Sequence, residues 1–339
     1  MGARRPRPTL ANVAEVAGVS IGTASKALNG TGRLREETRQ EVLRAASALG
    51  FVPRPRVTPS TESLSYTVGL LTTDNFSRFA SPIMLGVEDA MGAGRVSVLL
   101  ADGRGDAIRE RHHLQTFLAR KVDAIIVTGR RAEPRPPIGD SLSVPVCYVL
   151  SRSQRPEDLS IVIDDAQGAG LAIAHLVSLG RTRIAYVSGP EKHLSARLRQ
   201  SGMLAELRKY GLDPVEHLAT WGEWSEAWGR QAAGILHRSG TQFDAVFCGS
   251  DQIARGMVEQ LQRLGRRVPH DVSVVGFDNW DVMALASRPT LTTIDLQLSD
   301  LGRIAAQSIL RALSGEQLSG LAKHECRLVV RESTALATD

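Results

Sequence analysis

Cysteine is scarce: three in 339 residues, at Cys147, Cys248 and Cys326, scattered and odd in number. They allow no disulfide framework, and Cys147 and Cys248 lie inside apolar runs, where a thiol serves as a small hydrophobe. No run of about 18 apolar residues occurs, which excludes a membrane-spanning helix. The basic start, MGARRPRPTL, leads on without the apolar stretch of a secretory signal, so the expected compartment is the cytoplasm. No phosphate-binding G-x-x-x-x-G-K-[ST] string is present. Gly103 and Gly105 begin a dinucleotide fingerprint, but Ile108 stands where the third glycine belongs. Gly18-Val19-Ser20-Ile21-Gly22 spells the G-x-S-x-G of a nucleophile elbow, yet it joins two helical stretches rather than a strand and a helix. The eight histidines are dispersed. The adjacent pair His112-His113 would point apart on a helix and make no metal pair. No catalytic constellation, metal site or cofactor site assembles, so the chain reads as a non-enzyme without a cofactor.

What is present begins at Thr9. Thr9 can cap a helix whose apolar side is Leu10, Val13, Ala14 and Ala17, at the spacing of an amphipathic helix. Gly18-Val19-Ser20 breaks it, and Ser20 is a ready cap for a second helix from Ile21 to about Leu28, burying Ala24, Ala27 and Leu28. A third, from about Glu36 to Leu49, supplies Val42, Ala46 and Leu49 as a lid, with Gly50 as its stop. Two short helices joined by a three-residue turn make a helix-turn-helix, the unit that pushes a helix into the major groove of DNA. Charge agrees with that use. Residues 1–57 hold ten Lys/Arg against four acids, a net of +6, whereas the whole chain carries +5, so the other 282 residues sum to −1. Basicity confined to one segment is the footprint of phosphate binding.

Thr9-Leu10…Val13-Ala14…Ala17-Gly18-Val19-Ser20…Thr23…Ser25…Asn29-Gly30…Thr38-Arg39…Ala46…Leu49-Gly50-Phe51…Pro53 resembles, without gaps, the N-terminal domain of the lactose-repressor/galactose-repressor family of bacterial regulators. The resemblance implies base contacts from Ile21, Gly22 and Lys26. It implies phosphate contacts or positioning from Thr9, Ser20, Thr23, Ser25, Asn29 and Thr38. Arg54, which departs from the family by replacing its usual asparagine after Pro53, is added as a candidate phosphate contact on its charge. Lys26 stands where many members have arginine; it can donate to guanine, but without the rigid fork its discrimination is weaker. Residues 54–65, RPRVTPSTESLS, read as a linker. The family's linker carries a leucine that wedges into the minor groove; Ser60 holds the aligned position here, so the linker role is expected without that wedge.

Beyond Tyr66, β-branched runs alternate with helical stretches. Strands are expected at 67–71, 96–101, 124–127, 144–149, 161–163, 184–188, 245–248 and 273–276. Helices are expected at 82–93, 107–120, 167–179, 196–210, 226–237 and 252–264. Such alternation means parallel sheets flanked by helices, in two successive blocks. Segments 291–294, 298–313 and 327–330 are expected to cross back and close the fold. The resemblance extends through VIDDAQGAGLAIAHLVSLGRTRIAYVSGP (162–190), SDQIARGM (250–257), VPHDVSVVGFDN (268–279), LTTI (291–294) and RLVVREST (327–334). The expected fold is an all-α helix-turn-helix domain (1–57), a hinge (58–66) and an α/β, periplasmic-binding-protein-like core of two parallel-sheet subdomains (67–339).

In that resemblance the core holds a small effector at the carboxyl ends of its strands. Arg199 matches a family arginine that contacts ligand hydroxyls or a carboxylate, and Trp224 an aromatic that stacks on a sugar ring. Ser250, Gln252 and Asp278 fall just past strands on the cleft side, and an aspartate there can accept from hydroxyls. Phe79, Ser81 and Ser151 are the first-lobe candidates. Trp221 and Trp228 read as packing residues, and Trp280 stays open between the two uses. The expected protein is a homodimeric regulator, a repressor, binding a pseudo-palindromic double-stranded operator and a sugar or sugar derivative, with no membrane association. A two-lobed solute-binding protein of a transport system, and a regulator with a nucleoside or purine effector, are the alternatives.

Overall fold

A computed structural model describes residues 9–28, 35–49, 51, 66–74, 78–92, 94–129, 132–140, 142–212 and 219–334. The chain divides into two units, Met1–Leu64 and Ser65–Asp339. The linker expected between them, with Asn29, Gly50 and Arg54, lies outside the described residues.

The first unit holds three helices: α1 (Leu10–Val16), α2 (Ile21–Leu28) and α3 (Glu36–Leu49). Thr9 opens α1 with a capping box, its amide donating to Asn12 Oδ1 at 2.9 Å while the Asn12 amide donates to Thr9 Oγ1 at 3.4 Å. Gly18 turns the chain with φ of 63°, a conformation that costs a residue with Cβ. Ser20 Oγ then accepts the Thr23 amide at 3.1 Å and starts α2. The core is Val13, Ala14, Ala17, Ala24, Ala27, Val42, Ala45 and Ala46. Alanine dominates because three short helices can bury only what lies within reach of their backbones. Leu10, Leu28 and Leu49, expected inside, are half-buried at the rim, and Ala45 takes an interior place instead.

The second unit runs β1 (Tyr66–Thr72), α4 (Ala80–Met91), β2 (Val96–Asp102), α5 (Ala107–Ala119), β3 (Ala124–Thr128), β4 (Pro134–Arg135), β5 (Val146–Val149), β6 (Arg152–Ser153) and β7 (Leu159–Ile163). It continues with α6 (Asp165–Ser178), β8 (Ile184–Ser188), α7 (Leu194–Lys209), β9 (Ala219–Trp221), α8 (Glu226–Arg238), β10 (Ala245–Cys248), α9 (Asp251–Arg263), β11 (Ser273–Asp278) and α10 (Asp281–Ala284). Last come β12 (Thr292–Asp295), α11 (Leu298–Leu313), β13 (Gly320–His324) and β14 (Arg327–Val329).

Two six-stranded sheets result, ordered β13-β7-β5-β3-β1-β2 and β14-β12-β11-β10-β8-β9. The first is wholly parallel, and in the second only β14 runs antiparallel. Helices cover both faces, so β3, β8 and β10 are continuously buried apolar runs. The chain passes between lobes after β7, after β12 and after β13. Segments 291–294 and 327–330, expected to cross back together with the helix between them, both belong to the second lobe as β12 and β14, the chain returning to it only after β13. The helix α11 crosses to pack on α4, and β13 adds an edge to the first sheet. Strand β1 begins at Tyr66, one residue inside the expected hinge.

Candidate functional site

On α2, Ile21 is 56% exposed, and Gly22 and Lys26 are exposed, so three adjoining positions of one face are open to a groove. Thr23 and Ser25 are half-buried beside them. Ser20 is drawn into capping, with Thr23 Oγ1 also 2.9 Å from its hydroxyl. Thr9 Oγ1 likewise donates to Asn12 Oδ1 at 2.6 Å, so both side chains position helix starts. Thr38 is half-buried in the first turn of α3. A Cβ added at Gly22 would meet only Ser20 Oγ, at 3.8 Å, so nothing in the fold demands glycine there.

In the second unit a cavity of about 290 Å3 opens between the lobes at the carboxyl ends of the strands. The first lobe reaches it with the loop after β1, through Asp74, Arg78 and Phe79. The second lobe supplies His193, Ser195 and Arg199 after β8, Trp224 after β9, Ser250 and Gln252 after β10, and Asp278 and Trp280 after β11. A smaller recess of about 60 Å3 continues from it past Gly129, Ala132 and Asp165.

Arg199, on α7, is the electrostatic centre. Its Nε donates to Asp165 Oδ1 at 2.8 Å, its Nη1 donates to Gly249 O at 2.5 Å, and Asp278 Oδ1 lies 4.0 Å from Nη1. The guanidinium lies 3.7 Å from the Phe277 ring centroid and 5.8 Å from that of Trp224. Burial works against its charge, but Asp165 and Asp278 more than compensate and raise its pKa. Burial also raises Asp165, against the opposing pull of Arg199. Asp278 is held at φ of 110° and Asn279 at 49°, sparsely populated backbone that clusters at ligand sites.

Arg78 enters from the opposite lobe and pairs with Asp278 Oδ2, its guanidinium 4.7 Å from the Phe79 ring centroid and 4.5 Å from that of Trp280. A second bridge between lobes runs from the Leu194 amide to Glu133 Oε1 at 2.7 Å. Behind the cavity, Asp251 accepts from Thr293 Oγ1 at 2.5 Å and from the Trp280 amide at 2.7 Å. Burial first, and the nearby Asp278 carboxylate second, push its pKa well up. Trp224 Nε1 donates to His193 Nδ1 at 2.8 Å, which fixes the indole edge. The indole lies against Gly189, where a Cβ would come within 2.2 Å of the ring.

Of the residues expected from sequence, Phe79, Arg199, Trp224, Ser250, Gln252 and Asp278 meet around this cavity. Ser81 does not: it is in the first turn of α4, which starts at Ala80 because the Asp74 carboxylate accepts the Phe79 amide at 2.6 Å. Ser151 is buried and lines a separate groove of the first lobe. Ser250 Oγ also caps α9, accepting the Ile253 amide at 3.3 Å. Trp280 joins the cavity. Trp221 packs edge-on against Tyr186 at 5.5 Å and Trp228 donates to Ser188 O at 2.9 Å, both as packing residues. Sequence reasoning missed Asp74, Arg78, His193, Ser195 and the supporting Asp165 and Asp251. The DD pair at Asp164-Asp165, opening a helix, was the available signal for one of them.

Residues 9–54 match the profile of bacterial regulatory proteins of the lacI family, and residues 173–334 match the periplasmic binding protein-like domain. Over 340 residues the chain is 33% identical to the HTH-type transcriptional regulator CelR of Thermobifida fusca, covering 97% of this chain and 99% of that protein. The chain belongs to the lacI family. It is also 30% identical to the HTH-type transcriptional repressor CytR of Escherichia coli, over 96% of each chain. Among solved structures, the Lac repressor dimer bound to operator and the anti-inducer ONPF superposes with a TM-score of 0.73 at 26% identity, over 98% of this chain and 100% of that one. The CelR–cellobiose complex does so at 0.67 and 31%, over 96% and 100%. As in these family members, a helix-turn-helix domain precedes a periplasmic-binding-protein-like core, and the chain is a DNA-binding transcriptional regulator. Among the described residues no helix is long and apolar enough to cross a membrane.

Proposed function

We propose that this lacI-family regulator is a homodimeric repressor that binds a pseudo-palindromic operator in the cytoplasm, with a sugar or sugar derivative between its lobes setting operator affinity. One observation carries the effector reading. The interlobe cavity combines a paired arginine fork at Arg199, a carboxylate at Asp278, an amide at Gln252 and the rings of Trp224, Phe79 and Trp280. Donors and acceptors for hydroxyls beside flat apolar faces are what a pyranose requires. Both arginines there face aspartates, Arg78 with Asp278 and Arg199 with Asp165, which suits a neutral, hydroxylated ring. That a related regulator was solved with cellobiose supports the same class.

A thermal-shift screen of the full chain against neutral sugars, sugar acids, sugar phosphates and nucleosides tests this. A ligand at a hundredfold excess over its Kd should stabilise the core by about 2.7 kcal/mol. Gln252→Ala is the better site variant than Arg199→Ala, because removing Arg199 leaves Asp165 buried without its cation and threatens the fold itself. A sugar hit lost in Gln252→Ala supports the reading. An empty sugar class, or a hit indifferent to Gln252 and to Trp224→Ala, overturns it.

A further inference from the structure

The first lobe has a crevice that the cleft cavity leaves unused. In its sheet, β1 is flanked by β2 on one side and β3 on the other, so the chain reverses direction of winding between β1 and β3. Open parallel sheets bind ligands outside the carboxyl ends of the strands at such a switch point. The main cleft cavity takes from this lobe only the loop after β1, and its small recess touches Gly129 and Ala132 after β3. Directly over the switch point, where Thr73 follows β1 and Gly129 follows β3, lies a groove of about 730 Å3. Gly129 also lines the recess that leads from the cleft past Arg199, so groove and cleft adjoin.

The groove's chemistry is distinct from that of the cleft. One wall is the rigid, apolar run Pro134, Pro136, Pro137 and Ile138. The Arg135 guanidinium is satisfied by Glu110, with Nη1 to Oε1 at 3.2 Å and Nη2 to Oε2 at 2.5 Å. Glu133 is held by the Leu194 amide. Arg104 and Arg111 also line the groove, and among the described residues no carboxylate pairs with either. Two unmatched guanidinia beside a neutral cleft ask for an anion at the far end of the ligand.

We propose that this groove is a second effector subsite, and that the effector is an extended glycoside whose outer unit carries a carboxylate or phosphate to Arg104 and Arg111. The proposal rests on the sugar-effector reading of the cleft. Its test uses the full chain and calorimetric titration with three named probes: cellobiose, its counterpart with a uronic acid as the non-reducing ring, and cellobiose 6′-phosphate. At least one acidic probe should bind about tenfold tighter than cellobiose, the scale of a charge-assisted contact. The two acidic probes separate carboxylate from phosphate. Arg104→Gln combined with Arg111→Gln, both exposed positions, should bring the acidic probe to the affinity of cellobiose and leave cellobiose unchanged. Equal affinities, a preference that survives the double substitution, or no binding of any of the three overturns the subsite. The sugar reading itself fails separately, if the wider screen yields no sugar or a sugar hit indifferent to Gln252→Ala and Trp224→Ala.

Discussion

Lys26 is an exposed cation on the open face of α2, one turn beyond Gly22. If it reads a base edge, Lys26→Ala should cost about 1–3 kcal/mol on the specific operator and much less on random DNA, measured by fluorescence anisotropy at fixed salt. Equal loss on both would make it a phosphate contact. Asp251 gives a residue-scale prediction in the core. Its folded pKa lies above the ordinary aspartate value of 3.8, so the folded protein retains a proton that the unfolded chain releases. Stability from this group is therefore present in acid and is lost as pH rises through the folded pKa. The stability advantage of wild type over Asp251→Asn should shrink between about pH 5 and pH 8 in thermal melts. An advantage that grows over that range contradicts the assignment. Arg199 and Asp278 were legible because each sits in a motif. Arg78 was not, since its role comes from meeting Asp278 and Trp280 across some 200 residues of sequence, which no local spacing announces.

Among the elements, α2 depends on Ser20 more than on its own length. Eight residues are too few for a helix to persist alone in water, so the cap and the Ala24/Ala27 contacts decide it. Ser20→Ala should cost about 1 kcal/mol in the melting of the helix-turn-helix unit, through loss of the bond from the Thr23 amide. Gly22→Ala should move the other way, by up to about 1 kcal/mol, because the added methyl meets only Ser20 Oγ at ordinary contact distance and helices disfavour glycine. The starts of the capped helices α1 and α2 were legible from Thr9 and Ser20, and the buried strands β8 and β10 from their unbroken apolar runs. Others were hidden. The run GLAKH of β13 has no apolar pattern because it is a mostly exposed edge, and it becomes a strand through its parallel pairing with β7. Strand β9 and helix α10 have three and four residues, too few to carry a period. The path of α11 was likewise unreadable: its apolar stripe says that it packs, not that it packs on α4.

At the scale of the whole molecule, the helix-turn-helix and the interlobe cavity belong to separate units, and the proposed regulation is a coupling free energy between them, typically ~1–3 kcal/mol. Within the core, Arg78–Asp278 at the cavity and Glu133–Leu194 beside the neighbouring groove tie one lobe to the other, and an effector between the lobes would change their balance. A ligand shifts operator affinity only as far as it prefers one lobe arrangement over another. The direct measurement is operator affinity of the full chain with and without the sugar found by thermal shift. The DNA is enriched from a random library, and wild type is compared with Gln252→Ala. Effector control through the cleft predicts a pseudo-palindromic enriched sequence whose affinity changes about 5- to 150-fold with the sugar in wild type and not in the variant. An affinity that is the same with and without a bound sugar, or that shifts equally in Gln252→Ala, would contradict it.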